Sequence, residues 1–158
     1  MIIARAMKGQ TILVYGDGLQ IRDWVFVVDH CAAIDSVLHH GRDGEIYNLG
    51  AGNEWTNREI AGRILQLLGK PESLLAHVQD RPGHDRRYAL DRAKAQKQLG
   101  WVPRTMLEDG LKQTVAWYLA NREWMRRVSA RKFKSYCRQQ YDERETMLAG
   151  IRDTNGRA

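Results

Sequence analysis

Up to residue 103, glycine and proline cut this chain into short lengths, at Gly9, Gly16, Gly18, Gly41, Gly50, Gly52, Gly69, Gly83, Gly100 and Pro103. Proline removes a backbone donor and glycine gives up conformational order, so regular elements there must be short. Between the breaks the apolar pattern predicts a helix over residues 1–8 and a buried strand over 11–14. A turn follows at Tyr15-Gly16-Asp17-Gly18, then a β-rich stretch over 20–27. Further helices are predicted over 28–40, 91–99 and 107–119, and further strands over 45–49 and 74–79. The clearest helix start is at Thr56, three residues before Glu59, where a capping box precedes the stripe Ile60, Ile64, Leu65, Leu67 and Leu68. Residues 80–88 are too polar and turn-prone for a regular element. Strands and helices in mixed order predict an α/β or α+β fold, without the full βαβαβ alternation of a doubly wound sheet.

Length and charge narrow the classes. At 158 residues and 43% hydrophobic the chain has room for one ordinary core. No run approaches the ~20 apolar residues of a membrane-spanning helix, and the first residues lack the apolar run of a secretion signal. Cys31 and Cys137 stand far apart and make no disulfide framework, so a reducing cytoplasm is expected. The net charge of +6 is uneven. Residues 1–121 carry 15 basic and 14 acidic side chains, and residues 122–158 carry 10 and 5. The tail, with Arg126-Arg127 and Arg131-Lys132-Phe133-Lys134, is predicted to be helical from about residue 131 to 148. It is either a solvated helical face or a phosphate-attracting patch, and no zinc-finger or RNA-binding signature favours nucleic acid.

The densest polar cluster runs from Asp80 to Tyr88 and holds Arg81, Arg86, Arg87 and His84. A guanidinium donates two parallel hydrogen bonds and keeps its charge, which suits a diphosphate. The same arginines could instead pair with Asp80, Asp85 and Asp91 and only brace the loop. Arg22, set between apolar strand residues, is either paired internally or projects into a cleft. The helix start at Thr56 offers free amides to an anion, with Asn57 in its first turn. His30, His39 and His40 show no metal-ligand spacing, and Gly16-Asp17-Gly18 lacks the third glycine and the following helix of a dinucleotide fingerprint.

The order of several motifs resembles the dTDP-glucose 4,6-dehydratases, within the extended short-chain dehydrogenase/reductases. They are Tyr15-Gly16-Asp17-Gly18-Leu19-Gln20-Ile21-Arg22-Asp23-Trp24, Val27-Val28-Asp29-His30, Tyr47-Asn48-Leu49-Gly50 and Leu99-Gly100-Trp101-Val102-Pro103. The most specific is Asp80-Arg81-Pro82-Gly83-His84-Asp85-Arg86-Arg87-Tyr88-Ala89-Leu90-Asp91. The resemblance covers essentially residues 1–145. It implies a site for a dTDP-sugar, with Tyr15 against the thymine ring. Arg22, Asn57 and Arg81 would lie on the nucleotide and its diphosphate, His84 close by, and Tyr141 would be a further substrate contact.

It also implies an NAD-dependent lyase that oxidises the sugar at C4, eliminates water across C5–C6 and returns hydride to C6. The family's Gly-rich cofactor motif is not found here. Nor is its catalytic Tyr-x-x-x-Lys pair: the residues four after each tyrosine are Leu19, Ala51, Arg92, Arg122, Gln140 and Glu145. The expectation is therefore the C-terminal part of the extended short-chain dehydrogenase fold, lacking the N-terminal Rossmann half. Residues 1–121 would be the substrate-binding domain with residual sheet-edge elements, and 122–158 a basic, largely helical tail. No catalytic residue, metal or NAD is expected on this chain alone. Its partners would be a dTDP-sugar and either a separate N-terminal fragment or a second copy, through exposed edges. A degenerate product with a poorly packed core is the remaining possibility.

Overall fold

The computed structural model describes residues 1–129. The chain divides into two compact units, residues 1–117 and 118–158. In the first, α1 (Ile2–Met7) leads into β1 (Ile12–Tyr15), and a glycine turn leads on to β2 (Ile21–Asp23) and α2 (Val27–His40). After a long irregular stretch come β3 (Glu54–Thr56), α3 (Asn57–Leu67), a 3-10 turn at Glu72–Leu74 and β4 (Leu75–Val78). The loop 79–92 precedes α4 (Ala93–Leu99), and α5 (Leu107–Ala120) follows.

Two small ladders organise this unit. β1 pairs parallel with β4, Ile12 opposite Leu75 and Tyr15 opposite Val78. β2 pairs antiparallel with β3, with Arg22 opposite Trp55. The loop after β4 returns alongside β2 on its other edge. The Ile21 amide donates to Arg86 O at 2.8 Å and the Tyr88 amide to Ile21 O at 3.0 Å. Each ladder is backed by apolar residues. Ala6, Ile12 and Leu65 form one cluster, joined by Ile2, Leu68, Leu74 and Leu75, so α1 and α3 close over the parallel pair. Burying a side chain such as Ile12 or Leu65 contributes about 1.5–3 kcal/mol.

The second cluster is Ala33, Ala95 and Trp101, with Tyr47, Leu49 and Leu99. It explains the Leu99-Gly100-Trp101 element. Gly100 ends α4 in the left-handed conformation, and the chain turns so that the Trp101 ring is buried. Its indole N–H donates to Asp29 O at 3.1 Å, while the Asp29 carboxylate accepts from the Arg104 and Thr105 amides.

The capping box appears as predicted: Thr56 Oγ1 accepts from the Glu59 amide and the Glu59 carboxylate accepts from the Thr56 amide. Two strands differ from expectation. The β-rich stretch 20–27 is reduced to Ile21–Asp23, and Val27 already belongs to α2. There the Asp23 carboxylate bonds the Ala51 and Asn53 amides and the Trp24 indole bonds Trp55 O, so side chains replace a longer ladder. The predicted strand over 45–49 is not paired in any ladder among the described residues, and Ile46 is 80% exposed. A strand exists only with a neighbour, and alternation in sequence supplies none.

In the second unit, α6 (Arg122–Ser129) is held by Arg126 on Glu123 at 2.9 Å, and the Tyr118 and Trp124 rings meet edge-on at 6.4 Å. The predicted tail helix beyond residue 130 lies outside the described residues.

Candidate nucleotide-sugar site

The site is built where the 80–88 loop lies against the turn after β1 and the outer edge of β2. Gly16 and Gly18 make that turn with φ of +56° and +72°, values that disfavour a side chain. The turn leads into β2 and is tied to the start of α3, since Gly18 O accepts from the Arg58 amide at 3.0 Å and Gln20 O from the Asn57 amide at 3.0 Å.

Tyr15, half-buried at the end of β1, meets the His84 ring edge-on at 6.2 Å. His84 is itself held by Asp80: its Nδ1–H donates to Oδ1 at 2.6 Å. The other Asp80 oxygen accepts from the Gln20 side chain at 3.0 Å, and the Arg81 amide also donates to Oδ1. The His84 hydrogen bond, with help from Arg81 and Gln20, holds the Asp80 carboxyl below its ordinary value.

A second cluster centres on Tyr88. The Arg22 guanidinium stacks on its ring at 4.5 Å and donates to Ile21 O and Asp85 O. The phenol donates to the Asp85 carboxylate, and that hydrogen bond, then the carboxylate's charge, raises the Tyr88 pKa, with Arg22 acting in the opposite direction. Asn57 sits at the N-terminus of α3, one residue after the cap. Tyr141 lies outside the described residues.

The arginines do not brace the loop from within. Arg86 pairs with Asp17 at 2.8 Å and Arg87 forms a fork with Glu54 at 2.6 and 2.8 Å. Neither reaches Asp80, Asp85 or Asp91, because the loop runs as an outer edge of β2 and its side chains meet the elements flanking that strand. Each pair holds its carboxylate below the ordinary value. For Asp17 the Leu19 amide is the larger cause and Arg86 the next, and for Glu54 the cause is Arg87. Two of the three loop arginines are therefore structural. Arg81 has no ion pair among the described residues.

Sequence reasoning names Asp80 only as a possible partner of the loop arginines and Gln20 only within a motif, and gives neither a role in the site. A glutamine beside a strand carries no special signal, and only its burial to 2% exposure marks it.

A family model described as GDP-mannose 4,6 dehydratase matches residues 1–114. The chain belongs to this family. Individual relatives carry a narrower name. The dTDP-glucose 4,6-dehydratase of Xanthomonas campestris pv. campestris is 50% identical over 137 residues, covering 81% of this chain and 39% of the relative. That of Salmonella typhimurium is 40% identical over 152 residues, covering 92% of the chain and 42% of the relative. The solved dTDP-glucose 4,6-dehydratase of Bacillus anthracis, in complex with NAD, matches at 48% identity with a TM-score of 0.73, over 78% of this chain and 39% of that one. The chain thus spans about 39% of the length of such relatives and has part of an extended short-chain dehydrogenase fold.

The Gly16-Asp17-Gly18 turn runs directly into β2, so it is not the strand–turn–helix of a dinucleotide fingerprint, in which the helix follows the glycines in the chain. Among the described residues no group of three or more His, Cys, Asp or Glu is placed to hold a metal, and no helix is long and apolar enough to cross a membrane.

Proposed function

We propose that this chain is the nucleotide-sugar-binding part of a dTDP-glucose 4,6-dehydratase, inactive alone and completed by a separate NAD-binding half. Tyr15 lies against the base, and Arg22, Arg81 and Asn57 hold the ribose–diphosphate, with His84 beside them. Tyr141 adds a further substrate contact from the tail. The observation that carries this reading is the 80–88 loop lying along β2, which stacks the Arg22 guanidinium on the Tyr88 ring and sets His84 against Tyr15. A guanidinium beside aromatic platforms suits a dinegative diphosphate joined to a flat base. The names of the relatives supply the nucleotide and the sugar.

The need for a second half is supported by the 39% coverage and by the outer face of α2. Val27, Cys31, Ile34 and Leu38 recur there at helical spacing and are exposed, Leu38 by 77%.

Calorimetric titration with dTDP tests the site. The chain should bind, and Arg81→Ala should weaken binding about tenfold, as expected for one charge-assisted hydrogen bond. No heat and no thermal shift with the unmodified chain would overturn the assignment. Detection of a 4-keto-6-deoxy product from the chain supplied with NAD and dTDP-glucose would overturn its inactivity alone. Recovery of product on adding a separately expressed dinucleotide-binding half would support complementation.

A further inference from the structure

The Asp80 carboxylate is more heavily engaged than a loop aspartate needs to be. Oδ1 accepts from His84 Nδ1 at 2.6 Å and from the Arg81 amide at 2.9 Å, and Oδ2 accepts from Gln20 Nε2 at 3.0 Å. The arrangement is packed from both ends. Gln20 is 2% exposed and the His84 side chain 6%. Gly16, at φ +56°, leaves room for the carboxylate: a Cβ there would stand 2.8 Å from Oδ2. The other amide atom of Gln20, Oε1, is buried with no hydrogen-bond partner among the described residues, which is a cost to folding. Filling a strand end with glutamine at that cost has a counterpart in what its Nε2 does, which is to fix the carboxylate.

A carboxylate that accepts from Nδ1 requires that nitrogen to carry the proton. It thereby selects one imidazole tautomer and leaves Nε2 as the other ring nitrogen. Among the described residues Nε2 makes no hydrogen bond. The ring itself is fixed in direction by Asp80 on one side and by the edge-on Tyr15 ring on the other.

We propose that Asp80, anchored by Gln20, is a positioning residue that holds His84 as the Nδ1–H tautomer and reserves Nε2 as an acceptor for a donor group of the nucleotide sugar. This rests on the nucleotide-sugar reading of the site, but its first consequence concerns the ligand-free chain. The ring nitrogens of His84 are distinguished by a long-range 15N–1H spectrum at pH 8, above the ordinary range of imidazole titration. His84 in the full chain should show a protonated Nδ1 and a bare Nε2, and Asp80→Ala should shift the population towards Nε2–H. A ring already Nε2–H in the unmodified chain, or unmoved by the substitution, overturns the proposal.

The second consequence is a double-mutant cycle in dTDP affinity. Asp80→Ala should weaken binding about fivefold to tenfold in the native background and by less than twofold in a His84→Ala background, because Asp80 acts through the ring. Equal losses in both backgrounds would mean that Asp80 only braces the loop, and would overturn it. Asp80→Asn, which keeps the size of the side chain, repeats the cycle should alanine disturb the loop. If the unmodified chain binds no dTDP, the functional assignment fails, and the tautomer spectrum still decides the role of Asp80.

Discussion

Two glycines with nearly the same backbone conformation should respond very differently to alanine. Gly9 ends the run after α1 at φ +64°, and Gly18 ends the turn after β1 at φ +72°. Placing a Cβ in the left-handed region costs about 1–2 kcal/mol at either position. The surroundings then separate them. At Gly9 nothing lies within 4 Å of the added carbon, so that cost is the whole effect. At Gly18 the carbon would stand 2.6 Å from Val14 Cγ1 and 3.1 Å from Arg58 Cβ. Val14 is a buried β1 residue at 6% exposure, and the Arg58 amide is tied to Gly18 O at 3.0 Å, so neither neighbour moves freely. Overpacking of this kind adds about 1–3 kcal/mol, bringing the total for Gly18→Ala to about 2–5 kcal/mol. For a chain of 158 residues each kcal/mol lowers the melting temperature by about 2–4 °C. Thermal unfolding of the two variants against the native chain therefore reads the difference directly. Gly18→Ala should fall further than Gly9→Ala by at least about 2 °C, from the extra overpacking term. The Gly18→Ala chain should also lose affinity for dTDP, since the same turn sets Tyr15 and the start of α3. Equal losses in the two variants would refute the claim that close packing, and not conformation alone, reserves position 18 for glycine.

The loop 80–88 should release in acid rather than in base. Asp80, Asp17 and Glu54 are all held below their ordinary values of 3.8, 3.8 and 4.5, so the folded chain takes up protons less readily than the unfolded one. Their stabilisation is full above those ordinary values and is lost as pH falls through the lowered ones. Amide spectra of the loop should change below about pH 4, and a change confined to alkaline pH would contradict the pairing. The exposed face of α2 should drive association: sedimentation of the chain should depend on concentration, and Leu38→Glu should reduce that dependence without lowering the melting temperature. A monomer at all concentrations would contradict the expectation. Leu65→Ala, at a site with no exposure in the cluster that closes α1 and α3 over β1 and β4, should cost about 2–5 kcal/mol in urea unfolding.

Elements governed by local chemistry were legible in the sequence. The Thr56–Glu59 capping box, the α4 stop at Gly100 and the turn at Gly16 and Gly18 depend on a few adjacent residues and appear where the spacing predicts them. The strands were less legible, because a ladder needs a neighbour the segment itself does not specify. Residues 45–49 read as a strand and pair with none of the described residues. Conversely, 85–88 lack any strand pattern, yet their backbone bonds the outer edge of β2.

The site divides along the same line. Residue types alone placed Arg22 and Arg81 among candidates for an anion, and the order of motifs pointed to the dehydratase family, whose resemblance added Tyr15 and His84. Composition and spacing could not say which arginines of the 80–88 loop are occupied. Tertiary structure decided that Arg86 and Arg87 belong to Asp17 and Glu54, residues 69 and 33 positions away, while Arg22 stacks on Tyr88. It also brought in Gln20 and Asp80, whose importance lies in burial and in a shared carboxylate. Capping and turn chemistry act within a few residues and are written in the chain. Pairing of charges and burial of polar groups depend on which distant segments the fold brings together.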